Sequence, residues 1–67
     1  MKQCFYIIAH LENNNLSIDK VFLQEYEAVH WGKVLTTKNP KYTVVLYKQN
    51  IAKTATVEYV KQLTPYK

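Results

Sequence analysis

Four segments of the chain have the composition of β-strands, and one segment between the second and the third has the periodicity of a helix. The strand-like segments are rich in β-branched and aromatic residues and alternate in hydrophobicity, as half-buried strands do. The predicted order is ββαββ, with strands over Gln3–Leu11, Leu16–Leu23, Lys41–Gln49 and Thr54–Leu63 and a helix over Gln24–Lys38. Because one amphipathic helix covers only one face of a sheet, we predict an α+β fold: a four-stranded antiparallel sheet with one helix packed on one face.

The length of 67 residues predicts a single domain over residues 1–67. A chain of this size buries only about 60% of its unfolded surface, so its core is thin. No apolar run approaches the ~20 residues that span a bilayer, and no secretory pattern is present, which predicts a cytoplasmic protein without a membrane partner. The single cysteine, Cys4, cannot form an internal disulfide.

Residues at the boundaries of the predicted elements indicate where each element begins or ends, some more clearly than others. Asparagine tolerates left-handed backbone, so Glu12–Asn15 is predicted to turn the first two strands into a hairpin. Pro40 cannot continue the helix and predicts its end. The start is open: Gln24 is a poor N-cap and Ser17 a better one, so a longer helix beginning at Ile18 remains an alternative.

One stripe of the predicted helix is suited to face the sheet, and it comprises Ala28, Trp31, Gly32 and Leu35. A glycine in mid-helix costs about 1 kcal/mol against alanine, so close approach of helix and sheet is the expected reason for Gly32. We predict that Trp31 and Leu35 pack on four strand residues, namely Phe5, Ile7, Val44 and Val57.

The sheet face that the helix leaves uncovered is the predicted contact surface. Strand alternation predicts that it presents Tyr6, Ile8, Val45, Tyr47 and Val60 among His10, Thr43, Thr56 and Glu58. Contiguous apolar patches with aromatic residues mark contact surfaces, and tyrosine is common in binding hot spots. Tyr6, Val45 and Tyr47 are therefore predicted to be protein-binding anchors. A protein partner, a homodimer and base stacking on the tyrosines all remain open.

The charge of the chain is +4, and all nine of its cations are lysines. Arginine supplies the planar fork that reads guanine edges, so its absence argues against sequence-specific DNA binding. Non-specific, salt-sensitive attraction to phosphates stays open. Charged and polar contacts to a partner are predicted for Tyr26, His30, Lys33, Lys38, Lys41 and Lys48.

The residue types that carry catalysis or bind metals do not form a recognisable motif. Cys4 and His10 lie on one predicted strand about 20 Å apart, too far for a nucleophile and its base or for a shared metal. Glu25 and Glu27 point about 200° apart on a helix. There is no glycine-rich phosphate loop. We therefore predict no catalytic residue, no metal site and no cofactor, and a protein that is not an enzyme.

The order of elements in so small a chain resembles that of phage-encoded inhibitors, the small type I anti-CRISPR proteins. The residues that carry the resemblance are Phe5–Ile8 at the start, Glu25–Val29 opening the helix and Thr43–Val45 in the third strand. The resemblance spans most of the chain as a pattern of elements. It implies a chain in the host cytoplasm that sits on a nucleic-acid-handling complex and sterically blocks or misdirects its DNA binding.

The expected function is therefore that of a non-catalytic inhibitor that binds a host or defence protein complex. The alternative is a small lysine-rich accessory protein that binds nucleic acid, with lysines on phosphates and tyrosines stacked on bases. The identity of the target remains open.

Overall fold

The computed structural model describes residues 4–50 and 57–65, and it has the predicted ββαββ order. The elements are β1 (Cys4–Glu12), β2 (Asn15–Phe22), α1 (Glu25–Lys38), β3 (Thr43–Asn50) and β4 (Val57–Leu63). Because β2 continues to Phe22, the alternative helix starting at Ile18 is wrong. The predicted start of the last strand, including Ala55 and Thr56, lies outside the described residues.

The four strands form one antiparallel sheet in the order β2-β1-β3-β4, with α1 packed against it. The α+β prediction is therefore confirmed. The β1–β2 hairpin turns at Asn13 and Asn14, whose φ angles are 52° and 66°. Two successive left-handed residues form the tight turn that matches the twist of the flanking strands, and asparagine accepts this backbone readily.

The helix crosses from one edge of the sheet to an inner strand. Since β2 and β3 both run antiparallel to β1, they are parallel to each other, and α1 is the crossover between them. Gln24 has the extended backbone of an N-cap but makes no capping hydrogen bond with its side chain. At the other end, the backbone N–H of Asn39 donates to the carbonyl of Leu35 at 2.9 Å and ends the helix before Pro40.

The hydrophobic core lies between α1 and one face of the sheet, which we call the helix face. Its buried residues are Ile8, Ala28, Val44, Leu46 and Leu63, with Tyr6, Phe22, Val29, Trp31, Leu35 and Tyr42 packed around them. Gly32 lies directly over this core. A Cβ on Gly32 would overlap Leu63 Cδ1 and would come within 3.2 Å of Ile8 Cδ1. The prediction that Gly32 permits close approach is thus confirmed.

The predicted orientation of β1 is wrong. Phe5 and Ile7 were expected to contact the helix, whereas Ile8 is fully buried in the core and Tyr6 packs beside it. The pairing explains the reversal, because Ile8 stands opposite the core residue Leu46. Directly opposite residues share a face, so the odd-numbered residues of β1 lie on the uncovered side.

The predicted orientation of β4 is wrong over its first half. Leu63 lies in the core as expected, but Val57 is half exposed and pairs with Gln49 on the uncovered side. A register shift separates the pairs Leu46–Lys61 and Tyr47–Tyr59, leaving Val60 as an extra residue. Because of the extra residue, the odd-numbered residues before Val60 and those after it lie on opposite faces of the sheet. A strict period of two therefore cannot describe this strand.

Candidate interaction surface

The sheet face opposite the helix, here called the open face, is mostly apolar, and none of its described residues is charged. Strand register assigns the following residues to it: Phe5, Ile7, Ala9, Leu11, Leu16, Ile18, Val21, Thr43, Val45, Tyr47, Gln49, Val57, Tyr59 and Gln62. Leu16, Ile18 and Tyr59 are 55%, 69% and 59% exposed. An apolar face of this kind has the composition of a contact surface rather than of a solvated one.

The charged strand residues lie on the other side of the sheet. By register, Lys20 is on the helix face opposite Ile8, and Lys48 stands there opposite Tyr6 and Glu58. A helix is only about 10 Å wide, whereas four strands span about 19 Å, so water reaches the edges of the helix face. Long charged side chains can therefore keep their heads in water there. Lys20, for example, reaches over the ring of Phe22 at 5.5 Å.

A shallow apolar groove runs along the open face. It is lined by Ile7, Ala9, Leu16, Ile18, Tyr47 and Val57. Ala9 pairs with Ile18 on one side and with Val45 on the other, so this small residue lies between larger neighbours and is buried. Side chains of the edge strand β2 form one wall of the groove, and those of β3 and β4 form the other. The groove is thus a consequence of placing alanine at the centre of the sheet.

The tyrosines of the open face differ in part from those predicted. Val45 and Tyr47 do lie on the uncovered side, and Tyr47 meets Tyr59 edge to face with ring centroids 5.9 Å apart. The placement of Tyr6 there is wrong, because Tyr6 packs against the core on the helix face. Ile8, which was also expected on the uncovered face, is a core residue. Tyr59 was not among the predicted contact residues.

The predicted polar contact residues are distributed over three regions, and one of these residues, Lys41, lines a depression at the end of the open face beside Leu11 and Thr43. Tyr26, His30 and Lys33 line a shallow depression on α1, where Lys33 Nζ is 3.5 Å from the carbonyl oxygen of Thr64. Lys38 and Lys41 lie at the end of the helix and in the loop that follows. Lys48 is on the helix face. The structure therefore does not bring these residues together with Val45 and Tyr47.

His10 belongs to a polar cluster on the helix face, contrary to its predicted place on the uncovered side. Its Nδ1 lies 2.6 Å from Asp19 Oδ2, and its ring stacks on Tyr42 at 4.2 Å between centroids. Asp19 is the extra residue of a second bulge, between the pairs Ile8–Lys20 and Ala9–Ile18. The hydrogen bond directs the bulged residue toward the helix side, which gives this cluster a structural role.

The described residues do not assemble a group of three or more histidine, cysteine, aspartate or glutamate side chains that could hold a metal ion. Within the same part of the chain, no helix has the length and apolar character needed to cross a membrane. Cys4 is a half-buried free thiol.

Comparison with protein-family models, curated proteins and solved structures finds no match to this chain. The resemblance to anti-CRISPR proteins therefore remains a prediction that rests on the pattern of elements alone.

The residues that sequence reasoning missed at this surface are mainly those of β2 and the first half of β4. Leu16, Ile18 and Val21 carry an apolar signal, but the bulge at Asp19 breaks their alternation. Ile7 was assigned to the core, and Ala9 lies on the same side of β1. The pairing of Ile7 with Val21 and of Ala9 with Ile18 across the hairpin would have placed both residues, and this pairing depends on the bulge.

Proposed function

We propose that this chain is a non-catalytic binding protein and that the open face is its contact surface for another protein. The observation that supports the proposal is the absence of charge from the described residues of this face, together with the exposure of Leu16, Ile18 and Tyr59. Protein interfaces have cores that are depleted in charged residues and enriched in aromatic ones. Tyr47 and Tyr59 supply the aromatic part, and the aliphatic residues of β1 and β2 supply the area.

The separation of lysines from the open face favours a protein partner over nucleic acid. Stacking of bases on Tyr47 and Tyr59 would require cations beside them to hold the phosphates. Lys20 and Lys48 lie on the helix face instead, and Lys33 lies on α1. Charged side chains border the described part of this face at one end of the sheet, where Glu12 and Lys41 line a depression next to Leu11.

The inhibitor role expected from the resemblance is a narrower form of this proposal. A chain that covers the DNA-binding surface of a defence complex needs no catalytic residue, because it acts by occupying space. A surface that is rigid and preformed on a sheet suits this mode, since binding then orders few side chains.

A charge-insertion pair tests the proposal. Ile18→Lys places a cation in the open face, while Ser17→Lys places one at the neighbouring exposed residue of β2, which pairs with His10 on the helix face. We expect the wild type and Ser17→Lys to retain the same proteins from a nuclease-treated host lysate, and we expect Ile18→Lys to lose them. The same two variants test the inhibitor role, and the measurement is then the binding of target DNA by a type I effector complex in their presence. Equal retention by Ile18→Lys would contradict the proposal.

A further inference from the structure

We infer that the open face of the free protein is occupied by a second copy of this chain, in a symmetric dimer of two face-to-face sheets. The inference rests on the proposed function, because it takes the open face as a contact surface and adds that a second copy of the chain covers this face. Sheets pack face to face at a spacing of about 10 Å, with side chains of the two inner faces interdigitating. Two open faces would thereby form the second core that a one-helix domain lacks.

The distribution of charge favours a second copy. A chain with a charge of +4 repels its own copies unless the cations are kept away from the contact. In the open face every described residue is uncharged, and Lys20, Lys48 and Lys61 are assigned by register to the helix face. Stacking two open faces therefore places these lysines on the two outer sides of the dimer, about as far apart as the fold allows.

The area of the open face is close to that of a specific dimer interface. Strands of about eight residues and a width of four strands give a plane of about 25 by 19 Å, or about 500 Å². Side chains that rise above the plane, such as Ile18 and Tyr59, increase the accessible area beyond that figure. Standard-size interfaces begin at about 600 Å² per partner, so the plane alone falls about 100 Å² short and the raised side chains have to supply the remainder.

The open face has a ridge and a groove that complement each other in shape when two copies are related by a twofold axis. The groove has Ala9 at its centre, and its β2 wall carries Leu16 and Ile18 as exposed ridges. In a dimer with twofold symmetry the same patch serves both copies, so the ridge of one copy can enter the groove of the other. We assign Ile18 of each copy to its partner's groove, between the exposed side chains of Leu16 and Val57 that line it. The contact closes on itself and produces a dimer rather than a fibre.

The oligomeric state of the purified chain tests this inference. We expect sedimentation equilibrium to give the mass of two chains for the wild type and for Ser17→Lys, and the mass of one chain for Ile18→Lys. Circular dichroism establishes that the variants are folded, which is expected because Ile18 is exposed on an edge strand. A wild type that is monomeric up to millimolar concentration, a dimer that survives Ile18→Lys, or an open-ended series of oligomers would each overturn the inference.

A second measurement avoids substitutions altogether. In a mixture of isotope-labelled and unlabelled wild-type chains, we expect intermolecular nuclear Overhauser effects between methyl groups of Ile18 and Val57. Intermolecular effects confined to the helix side would overturn the face-to-face arrangement. A monomeric wild type whose partner binding is lost in Ile18→Lys would refute the dimer and leave the proposed function intact. A wild type that forms the face-to-face dimer but binds no other protein would support the dimer and refute the proposed function.

Discussion

At the scale of single residues, Gly32 has the clearest role, because it sets the distance between α1 and the sheet. We expect Gly32→Ala to destabilise the fold by about 1 kcal/mol. Helix propensity gains about 1 kcal/mol, but forcing a methyl group into a packed core costs roughly 1–3 kcal/mol. The buried side chain of Leu63 would have to move. Thermal unfolding followed by circular dichroism measures the effect, which for a domain of this size is a decrease of about 4–8 °C.

The control for Gly32→Ala is the double variant with Leu63→Val, which removes the methyl group that the new Cβ would overlap. The loss on introducing alanine should be smaller in this background than in the wild type, as a double-mutant cycle would show. A single variant as stable as the wild type would contradict the steric role of Gly32.

At the scale of secondary-structure elements, the start of α1 is the least optimised feature. Gln24 already has the extended backbone of an N-cap, with φ −118° and ψ 135°, yet its side chain makes no capping bond. Gln24→Ser should therefore satisfy one of the free N–H groups of the first turn and stabilise the fold by about 1 kcal/mol. The shift of the urea midpoint measures this gain. Gln24→Ala, which lacks an acceptor, is the matched control, and equal midpoints for serine and alanine would contradict the prediction.

At the scale of the whole molecule, the open face is uncharged and the helix face carries lysines. This separation determines how the chain binds nucleic acid. With the described lysines spread over the helix face, α1 and the loop after it, we expect only non-specific DNA binding, with a Kd of about 10⁻⁴ to 10⁻⁶ M at physiological salt. Fluorescence anisotropy should show that the affinity for DNA falls steeply between 50 and 200 mM salt. Tyr47→Ala should leave the affinity for DNA unchanged at both salt concentrations. Tight, salt-resistant binding that Tyr47→Ala abolishes would instead support base stacking on the open face.

Sequence periodicity alone determined which elements this chain forms. The alternation in β1 and β3, the helical stripe around Ala28 and Gly32, and the left-handed Asn13–Asn14 turn are local properties, because they depend on residues a few positions apart. The uncharged character of one face of β1 was also visible in the sequence. These local signals were sufficient for the ββαββ order and for Val45 and Tyr47 on the uncovered side.

Only the tertiary structure decided which face of β1 the helix covers and where the alternation breaks. Both faces of β1 carry apolar residues, so Ile7 and Ile8 are equally suited to a core until pairing with Leu46 selects Ile8. The bulges at Asp19 and Val60 each reverse the parity of a strand, and they arise from pairing between strands rather than from the sequence of one strand. Hydrophobic burial is non-directional, so strand alternation defines two faces, and only the packing of α1 across the sheet determines which of them remains open.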